Sequence, residues 1–482
     1  MRIGGLDIGT SGCKVVLFDE TGIAVQSAYR EYDVNRRNGL HEIDAEAVWE
    51  AVKTVLKETA CEEIGAIAVT SFGETFVMLD ENDRPVGPSM LYTDPRGEAE
   101  CAFLTERLGA ESMAYRTGTN PHQMYSLPKI MWIKQNLPQE FCRVKRILLM
   151  QDFVVYKLCG SAQIDYSLAS RTLCFDIEKK CWDKDILNCA GVDGRLLSTP
   201  VPSGTAAGTV QAELAEELGL SKKLCIVTGC HDQIAAITGA AVFEEEAAMD
   251  GTGTVECVPV VMDAVPKNYE LYQLGYAAAP HINGKFACYA LSYAGGATLK
   301  WFRDNFSQMP YDEMDKQVPA GPSGLLILPH FAGAATPYMD INAKAAVIGL
   351  TFEHTKFDFY KALMEGTAFE ILLNLETLKR FAIAPKELVA TGGGARSDVW
   401  LQIKADILGL PVTALQGEEI GAAGTAYLAG KTLGLFSGGM APVKRKTFYP
   451  NAENHTQYLK QFETYRKLYS SIKNLNERGQ ET

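Results

Sequence analysis

Two short acidic turns, about 240 residues apart, constrain this 482-residue chain more than any other feature. The first reads Asp7-Ile-Gly-Thr-Ser11 and the second Asp250-Gly-Thr-Gly-Thr254. Each follows apolar or small residues, and each offers glycine-freed backbone N–H groups suited to an anion. A turn repeated at this distance argues for a duplicated α/β unit. The acidic run Glu244-Glu-Glu246 is a natural boundary, so the expected domains are 1–245 and 246–482.

The patterns around the turns support that class. Residues 2–25 alternate short apolar runs with turns, as a hairpin-rich sheet does. Residues 45–59 place Ala47, Val48, Ala51, Val52 and Val55 on one helical face behind Asp44 as cap. Strands are expected at 64–69, 147–149 and 224–227, alternating with helices. A mostly polar tail at 451–482, with a helical pattern over 458–475, reads as peripheral.

Composition removes several classes of function. A formal net charge of -13 disfavours binding to nucleic acid or to an anionic membrane, both of which call for a basic surface. No apolar run approaches the roughly 18 residues needed to cross a bilayer, and the N-terminus lacks a signal-peptide pattern. The 12 cysteines contain no Cys-x-x-Cys, so they read as reduced thiols of a cytoplasmic protein.

Three segments carry chemistry. Thr10, Ser11 and Lys14 bring donors to the first turn. Thr391-Gly-Gly-Gly-Ala-Arg-Ser397 lies between an expected strand and an expected helix over 399–408, a geometry suited to a phosphate; it also suits an ordinary α/β turn. Gly424 to Thr432 contains Gly-Lys-Thr but ends a small-residue helix and has the wrong spacing for a P-loop. In Gly229-Cys-His-Asp-Gln233 a carboxylate stands where a strand gives way to the helix 234–241. Asp232 there suits either a helix N-cap or a base for a hydroxyl proton.

A longer signature bears on that choice. Residues 390–411, Ala-Thr-Gly-Gly-Gly-Ala-Arg-Ser-Asp-Val-Trp-Leu-Gln-Ile-Lys-Ala-Asp-Ile-Leu-Gly-Leu-Pro, closely resemble the C-terminal signature of the FGGY family of carbohydrate kinases. Tyr92-Thr-Asp-Pro-Arg96, Leu149-Met-Gln-Asp152, Gly251-Thr-Gly253 and Ala294-Gly-Gly296 follow in the family's order, so the likeness spans residues 3–435. The resemblance implies two actin-like, ribonuclease-H-like α/β domains, sugar-binding then nucleotide-binding, with ATP and a small sugar or polyol in an interdomain cleft. It also implies Asp232 as catalytic base and Asp7 as the acid associated with Mg²⁺. Thr10, Ser11, Lys14, Thr252 and Gly253 would meet phosphate, and Gly295, Gly296, Gly393 and Arg396 would border the nucleotide. Glu74, Asp94, Gln151 and Gln233 would join Asp232 on the sugar side. A homodimer is compatible with this reading.

Two departures bear on the substrate. Glu74 occupies a position that is Glu in glycerol kinases and His in xylulokinases, yet Gly73 replaces the glycerol kinase Arg before it. Gly333-Ala-Ala-Thr-Pro337 stands where many members have Gly-Glu-Arg-Thr-Pro. A ketose is the expected acceptor, with a polyol as the alternative. A sugar-independent actin- or Hsp70-like ATPase is the reading of a different class, and the C-terminal signature speaks against it.

Overall fold

The computed structural model describes residues 1–417, 419–435 and 443–480. The chain divides into two units, each taken here to the extent described. The first comprises Met1–Ala241, Ala278–Phe286 and Glu419–Ala441; the second comprises Val242–Ala277, Ala287–Glu418 and Pro442–Thr482. The first unit thus takes in two later segments that a single cut near residue 245 does not foresee.

Its sheet is formed by β1 (Arg2–Ile8), β2 (Gly12–Phe18), β3 (Ala24–Glu31), β4 (Ile64–Ser71), β5 (Thr205–Thr209) and β6 (Cys225–His231). Their order is β5-β6-β4-β1-β2-β3. β1, β2 and β3 form an antiparallel meander, β1 runs parallel to β4 and β4 parallel to β6, and β5 is antiparallel to β6. The register sets Asp7 opposite Lys14 on β2 and Thr70 on β4.

The later sheet is seven-stranded, from β7 (Ala247–Thr252), β8 (Glu256–Met262), β9 (Ala277–Pro280), β10 (Phe286–Ser292), β11 (Glu387–Thr391), β12 (Val412–Leu415) and β13 (Lys444–Phe448). Its order is β9-β10-β8-β7-β11-β12-β13. β7 is antiparallel to β8 and parallel to β11, β11 is parallel to β12, and β13 is antiparallel to β12. The series β10-β8-β7-β11-β12 therefore repeats β3-β2-β1-β4-β6, and the two acidic turns occupy matching β1–β2 and β7–β8 hairpins. The expected duplication is present in the strand order itself.

Helices complete each layer. Helix Ala45–Glu58 begins at Asp44, whose carboxylate accepts the Glu46 N–H at 2.9 Å, and buries Val48, Val52 and Val55. Each such aliphatic side chain contributes roughly 1.5–3 kcal/mol on leaving water. Helices Asp232–Gly239 and Ile420–Thr432, both of the first unit, approach closely enough to exclude side chains between them. A Cβ on Gly239 would lie 1.9 Å from the Ile420 carbonyl oxygen, and one on Gly424 1.9 Å from that of Ala235. This contact draws the late segment into the first unit.

In the second unit, helix Lys356–Lys379 opens with a capping box between Thr355 and Asp358 and is buried on most sides, as a central helix must be. The tail expected to be peripheral packs against it. Tyr458, Phe462 and Tyr465 form a buried stripe at helical spacing around Phe369. Tyr458 donates to Glu365 at 2.7 Å, and Tyr465 donates to Glu370. No helix among the described residues is long and apolar enough to cross a membrane.

Candidate active site

In the first unit, β1 delivers Asp7 to the lip of a turn where Gly9 N–H donates to the Gly12 carbonyl at 2.9 Å. Thr10 is half-buried there and Ser11 exposed. Lys14 Nζ donates to Glu419 Oε1 at 2.6 Å. Burial pushes the Asp7 carboxyl up to about 7, reinforced by Asp232 and Glu419 and opposed by Lys14. Three carboxylates therefore share one neighbourhood with one lysine. Glu419 has no local motif to announce it, because 405 residues separate it from Lys14.

β6 ends at His231, and the N-cap of the helix that follows is His231, one residue earlier than the sequence suggests. Asp232 is the first helical residue. The strand ends four residues beyond the expected 224–227; at its end His231 N–H is held by Ser167 Oγ at 2.9 Å, and Ser167 Oγ donates to Asp165 Oδ2 at 2.6 Å. The Asp232 side chain is 36% exposed, yet its Oδ1 is buried without a hydrogen bond, and His231 Nε2 lies 3.2 Å away. Burial raises the Asp232 carboxyl to about 6, against the lowering effects of Gln233 and Arg171. A carboxylate at a helix N-terminus is stabilised by the helix dipole, so burial outweighs the dipole here. The His231 imidazole is pushed down to about 3 by burial and by Arg171, and it is neutral at pH 7.

Glu74 sits in the turn after β4 with φ of 65°. It is 4% exposed. Arg171 Nε donates to its Oε1 at 2.6 Å, and the guanidinium stands 5.1 Å from the centre of the Tyr125 ring. Two of the other sugar-side candidates are engaged within the protein. Asp94 is 1% exposed and accepts from Arg96 Nε, Arg96 Nη2 and His41 N–H, each at 2.8 Å. Burial opposes ionisation of Asp94, but these donors hold its carboxyl below the ordinary range. Gln151 is fully buried and donates to the Val69 carbonyl at 2.9 Å. Gln233 follows Asp232 on the same helix.

In the second unit, the Thr252 hydroxyl turns inward. Lys404 Nζ, fully buried, lies 2.5 Å from Asp250 Oδ2, 2.7 Å from Thr252 Oγ1 and 2.5 Å from Glu256 Oε1. Burial disfavours the ammonium, and Asp250 and Glu256 outweigh it, so Lys404 is held charged. Around this turn the glycine-rich segments converge. Gly296 N–H donates to the Gly253 carbonyl at 2.8 Å, and a Cβ on Gly392 would lie 2.6 Å from the Thr252 oxygen. Gly295 precedes helix Gly296–Phe302, Gly393 opens onto free space, and Arg396 is exposed. Ala334 and Ala335 are buried, so the missing Glu-Arg pair is replaced by packing rather than by surface.

Local sequence missed Arg171, Glu419 and Lys404. Only Lys404 left a trace: a lysine on the buried face of helix Asp398–Leu408, among Trp400, Leu401 and Ile407, requires an internal partner.

Comparison with known proteins bears on the whole chain. Residues 2–239 match the N-terminal domain, and residues 251–433 the C-terminal domain, of the FGGY family of carbohydrate kinases. A xylulose kinase of Lactococcus lactis subsp. lactis (strain IL1403) is 28% identical over 499 residues, covering 98% of this chain and 97% of the relative. A gluconokinase of Bacillus subtilis (strain 168) is 28% identical, covering 88% and 86%, and a glycerol kinase of Desulforamulus reducens is 31% identical, covering 89% of each. The crystal structure of a xyloylose kinase from Brucella ovis superposes with a TM-score of 0.89 at 25% identity, covering 98% of this chain and 100% of that one. The two-domain α/β architecture is thus the actin-like one, and the enzyme phosphorylates a carbohydrate at the expense of ATP. Matches to both domain models over residues 2–239 and 251–433, on a fold whose halves repeat each other around two acidic turns, establish that the chain belongs to the FGGY family of carbohydrate kinases.

Proposed function

We propose that this kinase transfers the γ-phosphoryl group of ATP to a hydroxyl of a ketose, a pentulose first among them, with Asp232 as general base. The observation that carries this reading is the state of Asp232: a partly exposed carboxylate with one buried, unbonded oxygen and an affinity for protons raised to about 6. Such a group accepts a proton near neutral pH better than an ordinary aspartate. The acceptor oxygen bonds to the γ-phosphorus as the bond to the β-γ bridging oxygen breaks. ADP leaves, and the hydroxyl proton passes to Asp232.

The remaining roles follow the same reading. The first unit serves as the sugar-binding domain and the second as the nucleotide-binding domain. Among the described residues no group of three or more side chains is assembled to hold a metal. Mg²⁺ ordinarily takes one or two carboxylates together with phosphate oxygens and water, so Asp7 fits as its protein ligand. When bound, Mg²⁺ balances charge on the transferring phosphoryl group. Thr10, Ser11 and the Gly251–Gly253 backbone are the proposed phosphate contacts, and Gly295, Gly296, Gly393 and Arg396 border the nucleotide. Because Thr252 Oγ1 is engaged by Lys404, Thr252 would act through its backbone. Glu74 is the proposed sugar contact. Asp94 and Gln151, already bonded within the protein, would shape the site from behind. All 12 cysteines are free thiols, which suits a cytoplasmic enzyme.

A coupled ADP-release assay over pentuloses, hexuloses, tetritols, glycerol and gluconate tests the reading. A pentulose or hexulose should give the highest kcat/KM. Asp232→Asn should lose roughly 10²–10⁴-fold in kcat while still binding ATP. Turnover retained by Asp232→Asn, or a panel without phosphorylated ketose, defeats it.

A further inference from the structure

Arg171 lies in the short turn Ser170–Thr172, far in sequence from both Glu74 and Asp232. Its Nε and one terminal nitrogen both contact Glu74 Oε1. The two side chains are only 12% and 5% exposed, so their charges meet in a place where an unmatched charge is costly. Gly73 makes the arrangement feasible. A Cβ at residue 73 would stand 3.0 Å from Arg171 Cγ and 3.2 Å from His231 Nε2, so a side chain there would displace both. His231 Nε2 in turn is 3.2 Å from Asp232 Oδ1. Glu74, Arg171, His231 and Asp232 form one continuous patch of the first unit, leading from a guanidinium to the carboxylate proposed as base.

Without Glu74, this patch would present a guanidinium next to the reacting hydroxyl. A guanidinium is the side chain best shaped to hold a carboxylate in a two-point contact. A sugar acid would then be a natural ligand. With Glu74 in place the guanidinium is matched internally, and an incoming carboxylate meets Glu74 and Asp232 instead. We propose that the Glu74–Arg171 pair is a specificity determinant, which selects an uncharged polyhydroxylated chain and rejects a sugar acid by keeping Arg171 occupied. The Glu74 carboxylate is then the acceptor for a sugar hydroxyl, and Arg171 positions it. Discrimination of this kind combines a favourable contact for one ligand with repulsion of the other. The inference rests on the reading of Asp232 as the base beside the acceptor.

The test compares D-xylulose with D-gluconate by kcat/KM and by calorimetric binding without nucleotide, in wild type and variants. The wild type should favour xylulose. Glu74→Gln removes the counter-charge at nearly constant shape, and should shift the gluconate-to-xylulose ratio upward by roughly 10- to 100-fold, the loss of one charged hydrogen bond. Arg171→Gln leaves Glu74 unmatched and should move the ratio the other way. Arg171→Lys, which keeps the charge, should hold the ratio near that of wild type even where the rate falls. A ratio unchanged in both Glu74→Gln and Arg171→Gln, with the two substrates losing activity together, overturns the inference and leaves the base assignment standing. If Glu74→Gln does not fold, Arg171→Gln decides alone, and an unchanged ratio in it has the same meaning. A wild type that phosphorylates gluconate and no ketose or polyol overturns both this inference and the proposed function.

Discussion

Lys404 Nζ sits 2.5 Å from Asp250 Oδ2, and neither side chain is exposed to solvent. Glu256 Oε1 takes the same ammonium from another side. Lys404→Met therefore strands two buried acids without a counter-charge, at an expected cost of about 3–5 kcal/mol. The urea midpoint should fall accordingly, and Glu256→Gln added to it should recover part of the loss. The single variant should regain stability as pH falls. Acids whose folded affinity for protons is raised add stability below their unfolded values and lose it as pH rises through the folded ones.

The rate should follow the ionisation of Asp232. The base works as a carboxylate, and burial places its midpoint at about 6. Below that, kcat/KM should drop roughly tenfold per pH unit. Arg171 lowers the Asp232 value, so Arg171→Gln should displace this acid limb to higher pH. A limb that stays in place would show that another group controls it.

Asp152 gives a prediction about stability alone. It is fully buried, accepts a hydrogen bond from Ser198, and is pushed by burial from 3.8 to about 8. A raised carboxyl contributes stability below 3.8 and loses it as pH climbs through 8. Asp152→Asn, which cannot ionise, should melt above wild type by a margin that grows as pH rises from 5 to 8 and then levels off.

The close approach of two helices offers a mechanical test. Gly424→Ala puts a methyl 1.9 Å from the Ala235 oxygen, so the helix that starts with Asp232 must move. A loss of about 1–3 kcal/mol is expected. Because a small displacement of a base is costly in rate, kcat should fall more than KM rises.

What could be read from sequence was whatever the chain repeats or patterns locally. The two hairpin turns, helix Ala45–Glu58 with its Asp44 cap and the strand leading to Asp232 all lie in segments whose apolar spacing is their own. The partners of the site residues were not legible in this way. Arg171 meets Glu74 across 97 positions and Lys404 meets Asp250 across 154, and no periodicity links such pairs. The inward turn of the Thr252 hydroxyl was hidden for the same reason, since only Lys404 explains it. The tail was misjudged because Tyr458 and Tyr465 look polar until their hydroxyls find Glu365 and Glu370. The resemblance carried by residues 390–411 supplied the family, while the site roles stay with the experiments above.

The repeat is symmetrical in backbone and asymmetrical in charge. The turn of Asp250 carries its own tethered ammonium, and no change of buffer can remove it. The turn of Asp7 has Asp232 and Glu419 as neighbours, and its lysine is engaged by one of them. One copy of the motif has a buried counter-charge of its own, and the other gathers more carboxylates than lysines. If Asp7 takes the role proposed above, chelators and changes of ionic composition should perturb the first unit and leave the second untouched, so that one repeated turn divides the protein into an ion-sensitive half and an ion-blind one.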